Sequence, residues 1–90
     1  MTDEALTNHE ITICLQGGAI LGPFKATWSR DTKSDVRELS KDYDAFLQGQ
    51  PQTRYKYHLH DSGKHISHSV LVNFANVTAI YDQVQLHDHS

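Results

Sequence analysis

An α+β domain with the element order ββαβββ is what this sequence predicts, and three observations carry the prediction. Two segments of alternating apolar and polar residues fold back on glycine-containing turns, at Gly17-Gly18 and at Ser62-Gly63. Between them the hydrophobic period lengthens from two residues to about 3.6, as in a helix buried on one side. A last short apolar run, Val77 to Tyr81, follows the second turn segment. A helix with one apolar stripe needs an apolar sheet face to lie on. The expected architecture is therefore a strongly bent antiparallel sheet with one amphipathic helix packed on one face.

The first hairpin begins after a polar tail, residues 1–8. From Glu10 to Gln16 the chain places Ile11, Ile13 and Leu15 on one face and Thr12, Cys14 and Gln16 on the other. Gly17-Gly18 supplies the positive φ angles of a tight loop. Pairing across a two-residue loop sets Leu15 against Ile20, Ile13 against Gly22 and Ile11 against Phe24. The apolar side then holds Ile11, Ile13, Leu15, Ile20, Phe24 and Trp28. Pro23 has no N–H to give to a ladder, so it marks a sheet edge or a bulge.

The helix is expected over residues 33–48. Val36, Leu39, Tyr43, Phe46 and Leu47 form its apolar stripe, and Asp35, Arg37, Glu38, Lys41, Asp42 and Asp44 its wet side. Thr32 with Asp35 resembles a capping pair. Gly49 followed by Pro51 is a stop signal.

The second hairpin is built on Asp61-Ser62-Gly63-Lys64. A two-residue Ser62-Gly63 loop sets Asp61 against Lys64, His60 against His65, Leu59 against Ile66 and Tyr57 against His68. Tyr55, Tyr57, Leu59, Ile66, His68, Val70 and Val72 then share a dry face. Arg54, Lys56, His58, His60, His65, Ser67, Ser69 and Leu71 share a wet one. The chain continues through Val70 to Phe74, kinks between Asn73 and Asn76, and ends in the short strand and a polar tail, residues 83–90. One domain over residues 9–82 accounts for the whole pattern.

The same elements admit a second closure, a small SH3- or Sm-like barrel with the helix inserted between strands. Ile11 to Phe24 (ITICLQGGAILGPF) resembles the first hairpin of Sm-like proteins over fourteen residues, with its second glycine one position early and no later match to the second Sm motif. Ser67 to Ile80 (SHSVLVNFANVTAI) resembles the strand-turn-strand of LytTR-type DNA-binding domains over a similar length. His65 and His68 stand where such domains carry arginine. Neither likeness transfers a function.

Composition narrows the function classes. Eight Lys and Arg against eleven Asp and Glu, a net charge of −3, leave no basic footprint for nucleic acid or anionic membrane. Tyr55 and Tyr57 fall on the opposite face from Arg54 and Lys56, which separates stacking groups from cations. No apolar run has the length of a membrane span. MTDEALTNHE has neither the basic nor the apolar region of a signal peptide. Cys14, the sole cysteine, fits a reducing compartment. A cytoplasmic protein, bacterial or phage in type, is the expectation.

Histidine is the residue type that can carry chemistry here. His58 and His60 form an H-x-H on one strand, with His65 directly opposite and Cβ atoms about 5 Å apart. Three imidazoles so placed can hold Zn²⁺ and leave a fourth position open. The competing reading is three solvated side chains on a wet strand face, favoured because no carboxylate is placed to orient the rings. His87 and His89 sit in the tail. His68, on the dry face, is expected to hydrogen-bond Tyr57 or backbone. Ser67 and Ser69 point away from it, so no nucleophile, base and orienting acid come together. The expectation is a non-enzymatic interaction protein with no cofactor. It would act as a homo-oligomer, most simply a dimer, or as an accessory subunit. A metal-binding module and a nucleic-acid-binding barrel are the alternatives.

Overall fold

A computed structural model describes residues 7–28, 34–61 and 63–85. The described residues form five strands in two antiparallel sheets and one α-helix. In chain order these are β1 (Thr7–Leu15), β2 (Ile20–Trp28), α1 (Val36–Leu47), β3 (Lys56–Asp61), β4 (Ile66–Leu71) and β5 (Val77–Gln85). The ββαβββ order and the α+β class are as the sequence predicts. The single bent sheet arrives as two, β2-β1-β5 and β3-β4, and neither closes into a barrel. The first and last strands run past the expected domain limits: β1 starts at Thr7 and β5 reaches Gln85.

The first hairpin keeps Ile11 opposite Phe24 but sets Ile13 opposite Leu21. β1 advances two residues there while β2 advances three. The extra residue is a bulge at Gly22-Pro23, where the proline placed it. A bulge exchanges the faces beyond it, so Leu21 turns inward and Ile20 is 56% exposed. Gly22 has φ +102°, and an added Cβ would lie 2.7 Å from the Ile11 carbonyl oxygen. Only glycine fits that crossing. A second bulge, on β5, sets Leu15 opposite Val77 and Cys14 opposite Ala79.

α1 buries Val36, Leu39 and Tyr43, and Phe46 packs at the margin of the core. Leu47, expected in the stripe, is 63% exposed. The stop is as expected. Gly49 takes φ +101°, and the Gly49 and Gln50 amides donate to Phe46 and Ala45 carbonyls, closing a Schellman motif. The capping pair is not formed as read. Thr32 lies outside the described residues, and the Asp35 side chain makes no cap bond to the helix.

The second hairpin slips by two residues. Tyr57 faces Val70, Leu59 faces His68 and Asp61 faces Ile66. The cause is local: Asp61 Oδ1 accepts from the Gly63 amide at 3.0 Å, an Asx turn that opens the connection to residues 62–65. Ser62 lies outside the described residues. A slip of two preserves every face, so Tyr57, Leu59, Val70 and Val72 are buried as expected. Tyr55 and Ile66 fall at the ends of the pairing, 52% and 44% exposed.

The break into two sheets has a visible reason. The backbone of β3 does not meet β2, although the two strands lie side by side. Asp35 N–H donates to the His58 carbonyl at 2.7 Å, and the His58 amide donates back to Asp35 Oδ2 at 2.8 Å. The His60 amide reaches Ser34 Oγ at 3.4 Å. The segment leading into α1 therefore occupies β3's free edge. Both inner faces and the helix stripe share one core, with Phe74 at its centre. Its ring meets Tyr43 and Phe46 at 5.2 and 5.7 Å between centroids and stacks on Tyr57 at 6.2 Å.

Candidate functional site

β5 is one of the two outer strands of the larger sheet, nine residues long, and pairs on one side with β1 alone among the described residues. Its sequence, VTAIYDQVQ, has no Lys, Arg or Pro and a single charge, Asp82. Those are the residues that usually guard an open edge. Side chains alternate along it. Ile80 and Val84 stand opposite the core-facing Ile13 and His9, so they take the inner side, while Tyr81 stands opposite Thr12 on the outer side. Tyr81 is 60% and Val84 40% exposed. Alongside runs α1, tied to the start of the strand by Tyr43 Oη donating to the Val77 carbonyl at 3.2 Å. Between them lies an open groove of about 390 Å³, floored by Tyr43, Leu47 and Ile80 and rimmed by Ser40 and Asp44. A strand edge free of Lys, Arg and Pro, with a groove beside its start, is suited to receive another extended segment.

The lone charge of β5 is accounted for. Asp82 Oδ1 lies 2.9 Å from His9 Nδ1, and His9 Nε2 lies 2.8 Å from Thr7 Oγ1. With the proton on Nδ1, the ring donates to the carboxylate and accepts from the hydroxyl. His9 is buried at the end of the sheet, with both ring nitrogens satisfied. A hydroxyl, an imidazole and a carboxylate in this sequence of contacts also match the connectivity of a nucleophile, its base and its orienting acid. Here the set pins the far end of β5 onto β1. Sequence reading missed it because His9 and Asp82 lie 73 residues apart, at the limits assigned to tails. The position of His9 in the alternation with Ile11 and Ile13 was the available signal.

A second buried polar contact joins α1 to the small sheet. Tyr57 Oη donates to Asp42 Oδ2 at 2.7 Å. Burial, reinforced by the Asp42 carboxylate, pushes the phenol well above its ordinary range. Asp42 was expected on the solvent side, but it sits next to Tyr43 at the border of the stripe and turns inward. Arg54 pairs with Asp35 at 3.4 Å and lies over the Tyr57 ring at 5.3 Å. Gln52 fastens the loop before β3, donating to the Arg54 and Val72 carbonyls and accepting from the Phe74 amide.

The histidines of the second hairpin are not gathered. His58 faces Ser69 and His60 faces Ser67. His65 has left the ladder for the turn, with φ +55°. No group of three or more His, Cys, Asp or Glu side chains suited to a metal ion is present among the described residues. His87 and His89 lie outside them. His68 packs its ring 5.2 Å from Phe24 and faces Leu59, away from Tyr57. Cys14 is half-buried on the outer side of β1. No helix of the described residues is long and apolar enough to cross a membrane. No protein-family model matches the chain, and no curated protein or solved structure matches it at a significant level.

Proposed function

We propose that the protein is a non-enzymatic interaction module that completes its larger sheet with a strand supplied by another chain, acting as a homo-oligomer or an accessory subunit. One observation carries this reading: beyond Val77, whose carbonyl accepts from Tyr43, and the bulge that follows it, the edge of β5 carries no Lys, Arg or Pro and meets no other strand among the described residues. The groove between α1 and β5 supports it, because strand addition draws affinity from backbone bonds and selectivity from neighbouring side-chain pockets. The other outer strands are less suited. β2 carries Pro23 and Lys25, β3 is covered by Ser34 and Asp35, and β4 is six residues long. We place this activity in the cytoplasm, the compartment that suits a chain whose single cysteine cannot form an intrachain disulfide.

The test is amide hydrogen exchange, read with a display selection of extended peptides on the immobilised full chain. The reading predicts that raising the protein concentration, or adding a selected peptide, slows exchange at alternate amides of Thr78 to Gln85. Free exchange of those amides under both conditions would overturn it.

A further inference from the structure

We propose that the outer face of the β3-β4 sheet binds single-stranded nucleic acid, at a place separate from the β5 edge. Whole-chain composition hides a local segregation of charge. Residues 54–68 hold three of the eight Lys and Arg and one of the eleven acids, Asp61, a net +2. The rest of the chain then carries −5, since the total is −3. This excess lies on one ribbon. Lys56, His58 and His60 follow one another on the outer face of β3, opposite Leu71, Ser69 and Ser67 of β4. Lys64 is exposed in the turn beyond His60. Asp61 is engaged by the Gly63 amide, and Asp35 by Arg54 and the His58 amide. No carboxylate among the described residues is within ion-pair distance of Lys56 or Lys64.

The rings select the kind of anion. Side chains stand roughly perpendicular to their sheet. Residues two apart on one face are separated by about 6.8 Å, twice the rise of an antiparallel strand. Stacked bases repeat every ~3.4 Å along a nucleic acid strand. The gap between the His58 and His60 rings therefore takes one base, with an imidazole against each of its faces. Ser69 and Ser67, across the ladder from those rings, offer hydroxyl donors and acceptors to the edge of the held base. Lys56 on one side and Lys64 on the other meet the flanking phosphates. The cations and the stacking groups thus share a face, which the tyrosines do not provide. An acidic peptide satisfies the cations but brings no planar group to the gap, and a duplex keeps its bases stacked within itself.

Fluorescence anisotropy of the full chain with a labelled oligothymidylate of about twelve nucleotides, at neutral pH, tests the proposal. Binding is expected at low salt and should weaken as salt rises. Lys56→Ala combined with Lys64→Ala should flatten that salt dependence. His58→Ala should weaken binding roughly fivefold or more at constant salt, and His60→Ala likewise. His58 is exposed, so its loss leaves the fold intact, which a thermal melt checks. An abasic strand of the same length should bind as weakly as the histidine variants do. Absence of binding at low salt, equal binding of the abasic strand or of oligoglutamate, or indifference to both histidine substitutions would overturn the proposal. A peptide selected on the β5 edge should not displace the oligonucleotide. Displacement would put the nucleic acid on β5 and overturn this assignment while leaving the strand-accepting reading in place.

Discussion

β3 and β5 are both outer strands, and the chain treats their free edges in opposite ways. β3 is six residues long, and its edge is met by Asp35, by backbone and side chain at once, and by Ser34. β5 is nine residues long, and beyond Val77, where Tyr43 donates, the described residues place no strand on its edge. Unpaired backbone groups along a strand recruit partners unless covered. The difference teaches that covering an edge need not take a strand. Asp35 and Ser34, leading into a helix, do it for β3.

The largest effect comes from removing the element that serves both edges. Leu39 is fully buried in the core, so Leu39→Asp places an unpaired charge there. The chain should lose roughly 3–5 kcal/mol and fail to melt cooperatively. Glu38→Ala, on the exposed side, should stay within about 0.5 kcal/mol. Equal tolerance of the two in a thermal melt would show that the stripe is not the contact described.

Next is the covered edge. Asp35→Ala removes the acceptor of the His58 amide and the partner of Arg54. A cost of about 0.5–1.5 kcal/mol is expected, because the lost bond lies at the surface and water can take the freed amide. The substitution frees the His58 amide but keeps the bond from the residue 35 amide to the His58 carbonyl, so the self-association it adds should be slight and unaffected by Tyr81→Lys. A melt unchanged by Asp35→Ala would contradict the account of why the sheets part.

The Tyr57 contact couples α1 to β3 and gives a pH signature. The phenol loses its proton far less readily in the folded chain than free tyrosine does, chiefly through burial and then through Asp42. A group with a raised folded pKa lends its stability below the unfolded value, about 10 for tyrosine, and loses it as pH climbs past that. Stability should therefore fall through the alkaline range in the native chain and fall less in Tyr57→Phe. Chemical denaturation at stepped pH, with phenolate absorbance as the titration signal, measures both.

The smallest expected effects are at the open edge and the histidine face. Tyr81→Lys adds a guarding charge where the ring is exposed, and should change monomer stability by less than about 0.5 kcal/mol while weakening association. Zinc should leave the melting temperature unchanged, because His65 has left the position opposite His60. A stoichiometric zinc complex lost with His60→Ala would restore the three-histidine reading.

What was legible in the sequence follows from what is local. Alternation placed Ile11, Ile13, Tyr57, Leu59 and Val70 on inner faces, and the 3.6-residue period placed Val36, Leu39 and Tyr43. Pro23 announced its bulge. The register of the second hairpin was not legible because an Asp61 side chain, and not the Ser62-Gly63 pair, sets the loop. The segment read as continuing through Val70 to Phe74 ends its strand at Leu71, and Asn73 turns the chain by accepting from the Ala75 amide. The open edge thus belongs to the next strand. The Asp35 cover, the Tyr57–Asp42 bond and the Thr7–His9–Asp82 set join residues distant in sequence, and no pattern in a single segment encodes them.

Native-state amide exchange of the full chain over a range of concentrations tests the contrast between the edges most directly. The His58 and His60 amides should be protected at every concentration, since their acceptors lie within the chain. Alternate amides of Thr78 to Gln85 should exchange quickly in dilute protein and slow together as light scattering reports self-association. Concentration-independent protection of β5, or rapid exchange at His58, would contradict the account.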